Sequence, residues 1–320
     1  MPDLGEQPSI DQWRDRPWLA SVLRCAMCGT SFGRSDDILR CASGHEFPVI
    51  GGIPRLSAPS TYADSFGFEW TTYPTLQLDT AKRHESEEAF RTKTGLSPRD
   101  VEGKFVLDAG CGMGRFSDVL AQWGARVVAA DLSKAVESAA ANLWSSEEVA
   151  VLQADLRALP FDRGIFDVIV SLGVLHHTPN TFDAFRRLVP LLKPGGTISI
   201  WVYSRRLRLL LGSELLRPLT TRMSPTRLLA VVESIVPRVH SLRTRFPAAK
   251  KLLDVAIPVS DHPDPDWRIL DTFDWYSPRY QWKHSVAEVE SWFRRLGLVD
   301  VEALSFPVSV RGRRASQPAR

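Results

Sequence analysis

From about residue 100 onwards, short apolar runs alternate with longer segments in which apolar residues recur at helical spacing. An apolar run of about four to eight residues predicts a buried strand, and the helical spacing predicts an amphipathic helix. The predicted strands are 104–109, 126–131, 149–155, 166–171 and 197–203, and the predicted helices between them are 115–124, 133–143 and 181–192. Regular alternation of this kind is typical of an α/β fold with a parallel, doubly wound sheet.

The strand–helix pattern is interrupted after Tyr203 and returns near the C-terminus. A helix over 285–297 that ends at Gly297, followed by strands over 298–304 and 307–311, would complete a Rossmann-like sheet of seven strands. Residues 205–282 interrupt the pattern, and their position predicts a helical cap over the sheet edge. Insertions in functional loops often determine substrate choice. The predicted divisions are a cysteine-containing N-terminal region (1–57), a mouth segment (58–100), a cofactor-binding domain (101–204 and 283–312) and a cap segment (205–282).

The most informative motif follows the first predicted strand and reads Asp108-Ala109-Gly110-Cys111-Gly112-Met113-Gly114. Glycines at a strand-to-helix turn let bare main chain approach a ligand at the carboxyl end of the strand. Asp131 closes the second strand about 20 residues further on, where a carboxylate can accept both hydroxyls of a ribose. The glycine spacing is one residue tighter than in the dinucleotide motif Gly-x-Gly-x-x-Gly. The motif therefore predicts a nucleoside-containing cofactor.

Together with Asp131, the pair Asp155-Leu156 and the turn Pro194-Gly195-Gly196, the glycine motif resembles the class I S-adenosylmethionine-dependent methyltransferases over residues 104–203. The resemblance implies S-adenosylmethionine as the cofactor and methyl transfer as the reaction. It assigns Asp108, Gly110, Gly112 and Gly114 to the methionine part, Asp131 to the ribose, Leu132, Asp155 and Leu156 to the adenine, and Leu172 and Gly173 to the region of the transferred methyl. An alternative role for Asp155 is to cap a turn.

His176 and His177 follow the fourth predicted strand, at the expected mouth of the cofactor site. Either imidazole could take a proton from an acceptor, because histidine titrates near neutral pH. A base is needed only if the acceptor keeps a proton, as a hydroxyl or an amide would. The alternative is that one imidazole braces the loop while the other packs. Both histidines are therefore candidate catalytic residues.

Four potential metal ligands lie near the N-terminus, namely Cys25, Cys28, Cys41 and His45. This spacing is typical of a Cys3His zinc site, which has no open coordination position and is therefore structural. The alternative is reduced cysteines without a metal. Residues 20–57 resemble the zinc-ribbon family that includes the small activator subunit of tRNA and protein methyltransferases. The ligand spacing also resembles the N-terminal zinc domain of bacterial large-subunit ribosomal RNA guanine methyltransferases.

The chain has 320 residues and a net charge of only +3, so as a whole it is not a generic polyanion binder. Residues 205–251, however, hold eleven Lys and Arg residues against Glu214 and Glu233. This basic segment predicts a solvated amphipathic helix, a surface for anions or nucleic acid, or a helix lying on a membrane. No run approaches the roughly 18 apolar residues of a membrane span, and no signal-peptide pattern is present, so we expect a cytoplasmic protein.

The predicted cap favours methyl transfer to a bounded acceptor, which would be a small molecule, a saccharide or a secondary metabolite. The aromatic and charged stretch 271–280 could form the acceptor wall, and 66–70 could fold back across the cofactor mouth. The alternative is an RNA base methyltransferase whose ribbon and basic segment hold the phosphate backbone. A third interpretation is a non-catalytic, cofactor-binding activator that holds a partner, and the intact glycine motif and Asp131 argue against it.

Overall fold

The computed structural model describes residues 16–35, 37–57, 61–205 and 211–316, and its strands form two sheets. The first sheet consists of Phe32–Ser35 (β1), Ile38–Cys41 (β2), Glu46–Ile50 (β3) and Ile53–Pro54 (β4). The second consists of Phe105–Ala109 (β5), Arg126–Asp131 (β6), Val149–Gln153 (β7), Phe166–Leu172 (β8), Leu192–Trp201 (β9), Leu298–Ala303 (β10) and Ser309–Arg314 (β11).

The larger sheet has the strand order β10-β11-β9-β8-β5-β6-β7. Neighbours from β9 to β7 pair in parallel, whereas β11 runs antiparallel to both β9 and β10. The order reverses between β5 and β8, because the chain winds outward through β6 and β7 before it returns. Ligands of open α/β sheets bind at such a switch point, outside the carboxyl ends of the strands. The predicted doubly wound, seven-stranded sheet is confirmed.

Helices cover both faces of this sheet. In the described part of the chain they are Pro17–Val22 (α1), Asp64–Thr72 (α2), Glu85–Thr94 (α3), Pro98–Val101 (α4), Arg115–Gln122 (α5), Ala135–Asn142 (α6), Thr181–Leu188 (α7), Leu211–Thr220 (α8), Pro225–Arg245 (α9), Lys250–Ala256 (α10), Pro265–Tyr276 (α11) and Val286–Arg295 (α12). Along β6, Val127 and Ala129 join one buried apolar cluster, and Val128 and Ala130 join the other. Burial on both faces explains why the parallel strands are continuous apolar runs in the sequence.

The boundaries of most strands lie within two residues of the predicted ones, and two strands differ by more. β9 begins at Leu192, five residues before the predicted start, and includes the turn residues 194–196. Its first residue pairs with Phe166, and the register then shifts before Val168 pairs with Thr197. The Pro-Gly-Gly turn is therefore an irregularity within the strand rather than its boundary. β11 likewise extends three residues beyond the predicted strand 307–311.

The N-terminal sheet packs against the β7 edge of the larger sheet. Arg55 forms a parallel bridge with Gln153, and the Leu56 amide donates a hydrogen bond to the Gln153 carbonyl oxygen (2.7 Å). Buried Leu39 belongs to the same apolar cluster as Leu152 of β7. The N-terminal region therefore shares a core with the cofactor-binding domain.

Helix α2, from the mouth segment, packs against α6 and reaches the glycine loop. A Cβ on Gly67 would lie 3.2 Å from the Lys134 amide nitrogen, so the two helices approach closely. The Ser138 hydroxyl donates a hydrogen bond to the Trp70 carbonyl oxygen (2.8 Å). The Trp70 indole nitrogen lies 3.1 Å from the place that a Cβ on Gly112 would occupy. These contacts fix α2 over the carboxyl edge of the sheet.

Helices α8 to α11 lie between β9 and α12 in the chain, and α9 and α11 build a small apolar core of their own. Val232 and Val236 of α9 and Phe273 of α11 belong to it. Phe68 of α2 contacts this core, with its ring centroid 5.9 Å from that of Phe273. The cap helices and the mouth segment therefore meet above the sheet. Within the described part of the chain, every helix is too short or too polar to span a bilayer.

Candidate active site

The glycine loop after β5 packs closely against the loop after β8. Gly110 has φ of +93°, a backbone conformation that residues with a side chain rarely adopt. A Cβ at this position would lie 2.3 Å from Cγ1 of Val174. Gly110 therefore presents bare main chain to the crevice between β5 and β8.

We expect Gly110→Ala to lower the free energy of unfolding by roughly 2–5 kcal/mol, because left-handed backbone and an overpacked contact each cost about 1–3 kcal/mol. Urea denaturation measures this change. Gly103→Ala is the matched control, since Gly103 also has a positive φ (+67°) but a Cβ there would meet no atom within 4 Å. Equal losses in the two variants would show that contact with Val174 does not require glycine at position 110.

Asp131, the last residue of β6, is held in place by three hydrogen-bond donors. The Gly112 amide donates to Oδ2 (3.0 Å), and the Ser133 amide and hydroxyl both donate to Oδ1 (2.8 Å each). A carboxylate offers about four acceptor sites, so one remains for a ligand. The side chain lines the main cavity of the protein. The predicted ribose contact requires this arrangement of a fixed carboxylate with a remaining acceptor site.

This cavity has a volume of about 630 Å³ and lies at the carboxyl edge of the sheet. Volumes of this size accommodate drug-sized ligands. Six of the predicted cofactor residues line it: Gly110, Asp131, Leu132, Leu156, Leu172 and Gly173. The stretch predicted to fold across the cofactor mouth also lines it, with Phe66, Glu69 and Trp70 from α2. The stretch predicted to form the acceptor wall lines it with Asp271, Asp274 and Trp275 from α11. One space therefore joins the cofactor loops to the cap.

The other predicted cofactor residues, Asp108, Gly112, Gly114 and Asp155, do not line the cavity. Asp108 accepts a hydrogen bond from the Ser117 hydroxyl (2.7 Å), and burial raises the pKa of its carboxyl group to about 7. Asp155 accepts a hydrogen bond from the Arg157 amide (2.8 Å) and forms an ion pair with the Arg157 guanidinium (2.7 Å). These contacts are those of a residue that caps a turn, which is the alternative to adenine binding for Asp155. The Gly112 amide holds Asp131, and Gly114 directly precedes α5.

The two predicted catalytic histidines occupy different environments. His177 lines the cavity, and its Nδ1 donates a hydrogen bond to the Tyr280 carbonyl oxygen (2.8 Å). In the neutral ring Nε2 is therefore unprotonated and can accept a proton. His176 is fully buried between the rings of His177 and Tyr203, and neither of its nitrogens has a hydrogen-bond partner among the described residues. Burial lowers the pKa of both imidazoles, so both are neutral at pH 7.

Two cationic side chains to which the sequence assigned no role also line the cavity, namely Lys93 and Arg115. The Lys93 ammonium lies 3.6 Å from the centroid of the Trp201 ring, and burial lowers its pKa to about 7. The Arg115 guanidinium donates a hydrogen bond to Gln77 Oε1 (3.0 Å). Arg115 directly follows Gly114, so its position next to the glycine motif could have identified it as a residue of the site. Lys93 belongs to no motif that the sequence displays.

The predicted metal ligands Cys25, Cys28, Cys41 and His45 converge beside the N-terminal sheet, with their ligand atoms all within 4.8 Å of one another. The Cys28 and Cys41 sulfurs are 3.6 Å apart, and the Cys41 sulfur lies 3.3 Å from His45 Nδ1. Ligands of a tetrahedral ion at about 2.0–2.3 Å are separated by roughly 3.3–3.8 Å. Hydrogen bonds with Ser43 and Thr30 lower the pKa of the Cys28 thiol to about 5. The cluster could therefore hold a metal ion.

Several cationic side chains of the basic segment lie on the surface of the cap rather than in the cavity, whereas Arg243 is buried in ion pairs with Asp254 and Asp261. Arg222, Arg227 and Arg238 are exposed, and exposed leucines stand near them in the chain, with Leu215 82% and Leu252 72% exposed. None of these side chains lines the cavity. Residues 206–210 of the segment lie outside the described residues. The structure therefore separates the basic surface from the site formed by the glycine loop.

The central domain is similar to known methyltransferases. Residues 107–200 match the family model described as "Methyltransferase domain". The chain is 31% identical over 110 residues to the ubiquinone biosynthesis O-methyltransferase of Coxiella burnetii. The aligned region covers 34% of this chain and 47% of the relative. It is 35% identical over 129 residues to the enzyme of the same name from Azotobacter vinelandii, covering 38% and 56%. The predicted class I S-adenosylmethionine-dependent methyltransferase domain is confirmed.

The similarity of the whole chain to known proteins is more limited. The chain spans about half the length of the curated relatives it matches. An S-adenosylmethionine-dependent methyltransferase from Mesorhizobium loti is a solved structure with 18% identity and a TM-score of 0.43, covering 72% of this chain and 98% of that one. The matched residues 107–200 include β6 to β8, most of β5 and β9 and the glycine loop, but neither the metal-ligand cluster nor the cap helices.

Proposed function

We propose that the protein is an S-adenosylmethionine-dependent methyltransferase that acts on a small-molecule acceptor enclosed between the sheet edge and α11. The observation that carries this proposal is the shared cavity, in which Gly110 and Asp131 face the same space as Asp271 and Asp274. An acceptor bound beside α11 would thus lie in one enclosed volume with the cofactor. A saccharide or a secondary metabolite would suit such a bounded site.

The residues present fit the cofactor. Gly110 lines the cavity with main chain that carries no side chain of its own, and Asp131 offers a carboxylate with a free acceptor site. Leu132 and Leu156 line the same cavity and supply apolar surface for a purine ring. When bound, S-adenosylmethionine supplies a methyl group activated by a positively charged sulfur. The protein then has to align the acceptor with that methyl group, and alignment contributes most of the acceleration.

For a hydroxyl acceptor, His177 would act as the general base. The acceptor oxygen forms a bond to the methyl carbon while the carbon–sulfur bond breaks, and the sulfur keeps the electron pair of that bond. The hydroxyl proton would pass to Nε2 of His177, while Nδ1 keeps its own proton and donates it in a hydrogen bond to the Tyr280 carbonyl oxygen. Proton transfer to a positioned base contributes about 100- to 10,000-fold in rate.

Incubation with methyl-labelled S-adenosylmethionine tests the proposal, with a metabolite extract and total RNA as parallel acceptor pools. We expect label in a small molecule, at a rate that added salt changes little. Label in RNA that falls steeply with salt would instead support the RNA methyltransferase, since phosphate contacts are salt-dependent. Binding of S-adenosylhomocysteine without transfer to either pool would support the non-catalytic activator.

We also propose that the N-terminal cluster holds one structural zinc ion. Three sulfurs and one imidazole nitrogen are the ligand set that zinc prefers, and three of their separations, at 3.3–3.6 Å, suit a tetrahedral ion. All four positions are filled by protein, so the ion would have no place for a substrate. Its role would be to hold β1 and β2 in the position from which the N-terminal sheet reaches β7.

We expect about one zinc ion per chain in the wild-type protein by metal analysis, and much less in Cys41→Ser, because a structural zinc site needs all four ligands. The midpoint of thermal unfolding of Cys41→Ser should be lower than that of the wild-type protein, since metal binding stabilises the fold. Cys111→Ser is the matched control, because Cys111 lies outside the cluster and lines the cavity. Equal zinc contents in Cys41→Ser and Cys111→Ser would contradict the assignment.

A further inference from the structure

We infer that the acceptor carries a positively charged amino group, which binds to a carboxyl cluster formed by Glu69, Asp271 and Asp274. This inference rests on the proposed function, since it concerns the acceptor side of the same cavity. It names a substrate class, namely small polar molecules with an amino group and a separate hydroxyl group that is methylated.

Two helices that pack against each other build the carboxyl cluster. Glu69 comes from α2, and Asp271 and Asp274 come from α11, where a spacing of three residues places them on one helix face. The ring contact between Phe68 and Phe273 joins the two helices beside the cluster. All three carboxyl groups line the cavity, so they form one acidic wall of the acceptor side.

The carboxyl cluster has no cation in contact with it among the described residues. The Arg217 guanidinium attracts Asp274, and the Lys93 ammonium attracts Asp271, only from beyond ion-pair distance. Glu69 is only 2% exposed, yet its Oε2 has no hydrogen-bond partner there. Asp274 accepts a hydrogen bond from the Tyr203 hydroxyl (2.6 Å), and Asp271 accepts one from the Ser260 hydroxyl (3.0 Å). None of the three forms an ion pair within the described part of the chain. Buried carboxylates are normally paired, so a cationic ligand would supply what the protein lacks.

Electrostatics within the cluster also favour a cation. Burial raises the pKa of Glu69 well above its usual value, and nearby Asp274 and Asp271 raise it further. Burial likewise raises the pKa of Asp271 to about 6. A positive charge placed among these groups would stabilise their charged forms and offset the repulsion between them. A neutral polyol could accept or donate hydrogen bonds but would leave that repulsion in place.

The cationic side chains of the cavity are engaged elsewhere. Lys93 lies over the Trp201 ring, and Arg115 donates hydrogen bonds to Ser86 Oγ (2.9 Å) and Gln77 Oε1 (3.0 Å). Arg115 attracts Asp271 only from beyond ion-pair distance. The cluster therefore remains available to a ligand.

An organic ammonium group fits the cluster better than a metal ion does. Within the described residues, the N-terminal ligands are the only group of three or more close enough to share one ion. The three carboxyl groups are thus too far apart for a metal, whereas an ammonium group donates three hydrogen bonds from a larger molecule. Trp267 and Trp275 of α11 line the same cavity, and aromatic faces attract cations.

The amino group that binds the carboxyl cluster is not the group that is methylated. Carboxylates stabilise the protonated amine, which has no lone pair with which to attack a methyl group. The nucleophile is therefore a second group of the acceptor. A hydroxyl near His177 fits, because Nε2 of that residue can take its proton.

Two probes that differ in one group test the inference. One is para-(hydroxymethyl)benzylamine, and the other is para-benzenedimethanol, which has a hydroxyl in place of the ammonium group. Each is titrated calorimetrically into protein saturated with S-adenosylhomocysteine. We expect the wild-type protein to bind the amine at least about tenfold more tightly than the diol, and Glu69→Gln to reduce that preference to about twofold or less. Glu147→Gln is the control, since Glu147 is exposed and outside the cavity, and it should keep the wild-type preference.

The other possible results have distinct meanings. Equal affinity of the wild-type protein for the two probes would overturn the inference, and so would a preference that persists in Glu69→Gln. A loss of S-adenosylhomocysteine affinity in Glu69→Gln would assign this carboxyl group to the cofactor and would also overturn it. Failure of the wild-type protein to bind S-adenosylhomocysteine would instead contradict the proposed function itself.

Discussion

Asp131→Ala is expected to weaken the binding of S-adenosylhomocysteine by about 10- to 100-fold. The variant removes the hydrogen bond from a ribose hydroxyl to the remaining acceptor site of the carboxylate, and a bond of this kind is worth about 1.5–3 kcal/mol. It also removes the acceptor of the Gly112 amide, which holds the glycine loop against β6. Isothermal titration calorimetry measures the change in Kd.

A nearby carboxylate provides the control for this prediction. Asp118 lies on α5, directly after the glycine loop, and its carboxylate accepts a hydrogen bond from Gln122 (2.8 Å) outside the cavity. Asp118→Ala should therefore bind S-adenosylhomocysteine as the wild-type protein does. Asp131→Asn should lose less than Asp131→Ala, because an amide oxygen can still accept the Gly112 amide. Unchanged affinity in Asp131→Ala would exclude the ribose contact.

The sheet and part of the cofactor site could be predicted from local sequence because their determinants are local. A parallel strand buried on both faces is a short apolar run, and the residues after such runs meet at one edge. This rule places Gly110, Asp131 and Leu172 around one cavity, as the structure does. The rule does not say which way each side chain turns, and Asp108 and Asp155 turn towards Ser117 and Arg157 instead.

The acceptor side of the cavity depends on contacts between distant parts of the chain. Glu69 and Asp271 meet only because α2 packs against both α6 and α11. Neither segment has a local sequence pattern that predicts its packing against the other. The stretch 271–280 is rich in both aromatic and charged residues, but this composition does not identify its partner. The position of the N-terminal sheet was unpredictable for the same reason. Its attachment depends on a bridge from Arg55 to Gln153 at the far edge of the larger sheet.

His177→Gln is expected to lower the rate of methyl transfer to a hydroxyl acceptor by about 100- to 10,000-fold, the usual contribution of a positioned base. Glutamine can still donate to the Tyr280 carbonyl oxygen, but it cannot take a proton at neutral pH. The affinity for S-adenosylhomocysteine should change little, because the proposed base acts on the acceptor. Single-turnover rates with labelled S-adenosylmethionine measure the effect.

The pH dependence of the rate distinguishes a base from a residue that only packs. Burial lowers the pKa of His177, so the neutral form persists below pH 6.5. The wild-type rate should stay constant through neutral pH and fall as the pH drops through that lowered pKa, because protonation removes the acceptor at Nε2. His177→Gln should lack this fall, whereas His240→Gln, on α9 outside the cavity, should keep it. If His177→Gln retains both the rate and the acid limb, another titratable group takes the proton and His177 is not the general base.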